Sequence, residues 1–102
     1  MLSSRALDDL LYVAAYNGCL VDVKKYYDAG GRIDALYEET DDKHQPMQPI
    51  HVATVSGHLE VVQWLHSKDA ALHARAFDGL QPIHFACTQG RLEVMEWLSS
   101  QE

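Results

Sequence analysis

Six histidines are the residues best equipped for chemistry in this chain of 102: His44, His51, His58, His66, His73 and His84. Imidazole is a common zinc ligand, and a zinc-binding helix sets two of them one turn apart. No two of these histidines stand three or four residues apart, so no metal site is expected. Cys19 and Cys87 could serve as nucleophiles only with a base and an orienting group in reach, and no local signature of such a centre surrounds either. Glu38, Glu39, Asp41 and Asp42 gather carboxylates in one stretch. A calcium loop alternates its oxygens around a glycine at the bend, and this stretch does neither, so it reads as a solvated acidic loop. A glycine-rich phosphate loop is absent from the sequence. The inventory predicts no catalytic residue, no metal and no cofactor, which leaves binding.

The elements that carry these residues repeat. Gln48-Pro49-Ile50-His51-Val52-Ala53 is written again as Gln81-Pro82-Ile83-His84-Phe85-Ala86, a spacing of 33 residues. The identity continues through Gly57/Gly90, Leu59/Leu92, Glu60/Glu93, Val61/Val94, Trp64/Trp97 and Leu65/Leu98. Self-similarity at such a period marks a stacked array of small units. Pro49 and Pro82 suit the first position of a helix, where no N–H is needed and φ is already correct. Each predicts a short helix ending at Ser56-Gly57 or Gln89-Gly90, followed by partner helices over Leu59–Ser67 and Leu92–Ser100. Trp64 and Trp97 fall inside the apolar pattern of those partner helices and read as core rather than as a ligand-stacking pair.

Upstream the repeat is looser. Leu7, Leu10, Leu11 and Ala14 recur at helical spacing, which predicts a helix from Arg5 to Tyr16 with Ser4 as its cap. Leu20–Ala29 is a second helix, stopped by Gly30-Gly31. Gly18 to Gly57 spans 39 residues where Gly57 to Gly90 spans 33, so the junction Leu36 to Met47 carries about six extra residues. The later junction, Phe77-Asp78-Gly79-Leu80, contains an Asp-Gly turn.

A proline-apolar-histidine-x-alanine start, a glycine four residues after the alanine, and then Leu-Glu-Val at a 33-residue period resemble the ankyrin repeat. The resemblance is strong over 48–102 and looser over 1–47. Asp69 stands where the resemblance implies a glycine, so the end of the helix Leu59–Ser67 is expected to be less well capped. It implies an all-α solenoid of three helix-turn-helix repeats, about 4–35, 36–73 and 74–102, joined by short β-hairpin fingers into one domain over 1–102. It also implies that His51 and His84 are structural, bonding to backbone and to a neighbouring threonine hydroxyl; Gln48 and Gln81 replace that threonine, so this bond must be remade or lost. Finger tips and the exposed ends of the first helices would line a concave partner-binding face: Tyr16, Asn17, Tyr37, Met47, Val55, Ser56, Phe77, Asp78, Leu80, Thr88 and Gln89.

Composition limits the partner. Eight basic against fifteen acidic side chains leave a formal charge of −7, which repels nucleic acid and anionic membrane. Apolar content of 47% is that of a folded chain. No run approaches the 18 or so apolar residues of a membrane span. Two cysteines without a spaced framework read as free thiols in cytosol or nucleus. The expectation is a monomeric, non-catalytic module that binds another protein, one with a basic surface. The alternative is a regulatory or capping segment of a larger enzyme or channel.

Overall fold

A computed structural model describes residues 3–35, 47–70 and 81–101. Among them are helices α1 (Ser4–Asn17), α2 (Leu20–Asp28), α3 (Pro49–Val55), α4 (Leu59–Ser67), α5 (Pro82–Thr88) and α6 (Leu92–Ser100). The described residues form no strand element. The expected fingers, at 36–46 and 74–80, lie outside the described residues.

The helices pack as three successive pairs. Within a pair, α1 lies on α2, α3 on α4 and α5 on α6; between pairs, α1 packs on α3 and α3 on α5, while α2, α4 and α6 touch in the same order. The apolar stripe explains which faces meet. Leu7, Leu11, Ala14 and Ala15 of α1 are buried, and so are Ile50, Val52 and Ala53 of α3. Val23, Val61, Val62, Leu65, Val94 and Leu98 close the core from the second helix of each pair.

Helix starts follow from local chemistry. The side chain of Ser3 accepts from the Ala6 N–H at 3.2 Å, so the cap of α1 is Ser3 and the helix opens at Ser4, one residue earlier than the sequence suggests. Pro49 and Pro82 open α3 and α5 as expected. His51 Nδ1 accepts from the Gln48 N–H at 3.1 Å, and His84 Nδ1 accepts from the Gln81 N–H at 3.0 Å. Each histidine thereby satisfies one of the N–H groups left over at a helix start. The backbone half of the expected histidine bonding stands without the threonine.

Helix ends share one geometry. Cys19, Gly31, His58, Ala70 and Arg91 each return an N–H to the carbonyl five residues back, at 2.8–3.0 Å. The residue just before each donor is in the left-handed region: Gly18, Gly30, Asp69 and their counterparts Gly57 and Gly90. Asp69 adopts φ 70° and closes α4 with the same bond from Ala70 to Leu65. The end of α4 is therefore fully capped, contrary to expectation, by an aspartate in a glycine conformation.

The outer helices are linked through rings. Tyr27 meets Trp64 edge-on at 5.3 Å between centroids, and His66 meets Trp97 edge-on at 5.6 Å. Both tryptophans are half-buried against the core, in keeping with a packing role. Asp8 fastens the chain after α2 back to α1, its Oδ1 accepting from the Arg32 N–H at 2.7 Å.

Candidate binding face

The candidate residues on α1, α3 and α5 sit at the last turn of each helix, and a side chain from the following pair is bonded to the last turn of α1 and of α3. His58 Nε2 donates to the Tyr16 carbonyl oxygen at 3.0 Å. Arg91 Nε donates to the Val55 carbonyl oxygen at 3.0 Å. Tyr16 and Val55 both stand two residues before the glycine that ends their helix, and His58 and Arg91 both follow the glycine of the next pair. The same staple is thus made twice.

Each staple lies directly against a glycine. A Cβ on Gly18 would come within 2.5 Å of the His58 ring, and one on Gly57 within 2.8 Å of Arg91 Cδ. Gly57 is therefore required twice over, by its φ of 78° and by the arginine stem laid across it. A side chain there would displace the Arg91 stem.

The staples use backbone oxygens, so the side chains above them remain available. Tyr16 is 57% exposed and Asn17 is exposed; Val55 and Ser56 are half-buried; Thr88 and Gln89 are exposed. These six occupy matching places on three helices packed in series. Met47 is half-buried and packs against the core. Tyr37, Phe77, Asp78 and Leu80 lie outside the described residues.

One residue of this face escaped the sequence reading. Val13 is 43% exposed and precedes Tyr16 by one helical turn. The available signal was its place off the Leu7, Leu11, Ala14 stripe, where a valine has no core to fill.

The chemistry of the remaining polar groups is structural. His51 is fully buried and meets the Phe85 ring edge-on at 5.7 Å. Thr54, also buried, donates its hydroxyl to the Ile50 carbonyl at 2.7 Å. Among the described residues no group of three histidine, cysteine, aspartate or glutamate side chains is placed to hold a metal ion. Cys19 and Cys87 are free and exposed. A shallow depression beside the ends of α2 and α4 sets Arg32 and Lys68 against Asp34 and Asp69, a balance that favours neither anions nor cations. No described helix is long and apolar enough to cross a membrane.

In a comparison with protein families, residues 50–98 match the model for ankyrin repeats (many copies). Over these residues the chain belongs to the ankyrin-repeat family. The match opens inside α3 and closes inside α6, spanning the two pairs that carry the proline-apolar-histidine start. No curated protein matches the chain. Ankyrin repeats are in general non-catalytic modules for protein–protein interaction. His58 and Arg91 make the inter-pair bonds that sequence reasoning missed. Their partners lie 42 and 36 residues away, and nothing in a linear pattern signals a bond of that kind.

Proposed function

We propose that the chain is one ankyrin domain of three repeats, about 4–35, 36–73 and 74–102, that binds a partner protein without catalysing a reaction. Its concave face comprises the last turns of α1, α3 and α5, with Val13 added to the residues read from sequence, and continues onto two hairpin fingers carrying Tyr37, Phe77, Asp78 and Leu80. The observation that carries the reading is Tyr16, a large aromatic left more than half exposed at a position whose backbone is pinned to the next pair. Apolar side chains grouped on an exposed face mark interaction sites. A pinned backbone keeps them preorganised, so little entropy is lost on association. The charge of −7 favours a partner with a basic surface, and two free thiols suit the cytosol or nucleus.

A pull-down with the wild-type chain and with a Tyr16→Ser, Thr88→Glu double variant, quantified by mass spectrometry, tests this. Proteins bound through the concave face should be depleted by about tenfold or more with the variant, since one anchoring aromatic contributes on the order of 2 kcal/mol. Equal recovery by two folded baits would place the binding elsewhere.

A further inference from the structure

The outer helices make the same ring contact twice, and only the first of the two holds a cation among the described residues. Tyr27 of α2 and Trp64 of α4 stand at 88° with centroids 5.3 Å apart. The Lys68 ammonium lies over both rings, 5.9 Å from each centroid. One period on, His66 takes the place of Tyr27 against Trp97, and Gln101 takes the place of Lys68. The Gln101 amide turns instead to the Trp97 carbonyl oxygen and the Ser100 hydroxyl. Stacking of the pairs accounts for the ring contact but not for the cation. The Tyr27 ring also lines the depression that holds Asp34, Lys68 and Asp69, whose volume of about 490 Å³ is that of a small-ligand cleft. Its other cation, Arg32, is turned to Asp8, Nε lying 3.6 Å from Oδ2. Asp34 and Asp69 make no ion pair among the described residues. The balance of charge there therefore depends on Lys68, an exposed side chain free to swing away.

We propose that the corner between Tyr27 and Trp64 is a binding site for a methylated ammonium group, and that Lys68 occupies it when no ligand is bound. Shape selects the ligand first. Two perpendicular rings embrace a rounded cation on two sides, whereas a planar guanidinium covers one ring only. Hydration selects next. An unmethylated lysine from outside gains only what Lys68 already has, and the tether gives Lys68 a millimolar effective concentration against it. A methylated ammonium sheds its water more readily and sets its methyl groups on the ring faces, so it displaces the resident. Once Lys68 has left, Asp34 and Asp69 favour a cation over an uncharged group of the same shape. Trp64 keeps its packing role, because it is half-buried, with part of its surface on the core and part open. Every residue of the site falls between Tyr27 and Asp69, on the outer helices and the segments next to them, so the site stands independently of the concave face.

The test titrates the full chain with choline and with blocked trimethyllysine, following the nitrogen-labelled tryptophan indoles by NMR so that both rungs are read at once. Both ligands should shift the Trp64 signal and leave the Trp97 signal in place. The uncharged carbon isostere of choline and blocked unmethylated lysine should bind at least about tenfold more weakly. Lys68→Ala should tighten binding roughly threefold or more, because it removes the resident cation from the rings. Asp34→Asn with Asp69→Asn should weaken binding by a similar factor and leave the fold intact, since asparagine accepts the left-handed conformation of position 69. These exposed positions keep the test decisive even where Tyr27→Leu, which should abolish binding, also loosens the stack. Tighter binding of trimethyllysine would support the site and put its ammonium on a partner protein; tighter binding of choline would support it and put the ammonium on a free small molecule. No shift of Trp64 at tens of millimolar, equal affinity for the uncharged isostere, or an unchanged affinity in Lys68→Ala would overturn the proposal.

Discussion

Asp69 holds a backbone conformation that Gly18, Gly30, Gly57 and Gly90 hold elsewhere. An L-residue in the left-handed region costs about 1–2 kcal/mol, less for aspartate, and glycine gives back part of the gain through its freer unfolded state. Asp69→Gly should therefore raise stability by roughly 0.5–1 kcal/mol in urea unfolding. A loss would mean that the carboxylate does more for the α4 end than its geometry shows. Gly57 poses the opposite case. Gly57→Ala must bear both the φ strain and the contact with Arg91, whereas Gly90→Ala bears the strain alone. The first should cost about 2–3 kcal/mol and the second about 1 kcal/mol. Equal losses in the two melts would deny the Arg91 staple any part in stability.

At the scale of the helix, Leu65 of α4 is wholly buried in the core. Leu65→Ala should cost roughly 2–5 kcal/mol, a large share of what a chain this size possesses. A melting temperature within a couple of degrees of wild type would contradict the packing described. The junction 36–47 is an element of another kind. Glu38, Glu39, Asp41 and Asp42 against Lys43 give it a local charge of −3. Shortening it to the length of the second junction should leave the helix pairs stacked and slow association with a basic partner at low salt. Unchanged association rates would make the extra residues mere spacing. The helices themselves were largely legible in the sequence. The bounds of α4 and α6 could be read from Leu-Glu-Val and the preceding glycines because a repeat states its own register. The cap of α1 could not, since Ser3 and Ser4 are chemically equal and only the direction of approach to Ala6 separates them. His58 and Arg91 were illegible as staples for a different reason: their bonds depend on the distance between helix pairs, which no local pattern encodes.

As a whole the molecule behaves as a short one-dimensional array, in which each pair is stabilised by its neighbours. The α3–α4 pair sits in both inter-pair contacts, so damage there should propagate to the whole stack, while damage to α6 should fray one end. The same arrangement makes the ends of α1 and α3 in the proposed concave face rigid, because each is bonded to a side chain of the following pair. A photo-crosslinking phenylalanine analogue placed at Tyr16, and separately at Val21, tests the central claim most directly. Both positions are exposed, at 57% and 76%, but Val21 lies on an outer helix. Irradiation in cell extract should yield a discrete crosslinked partner from position 16 and none from position 21. A partner captured from position 21 and not from 16 would contradict the concave-face account.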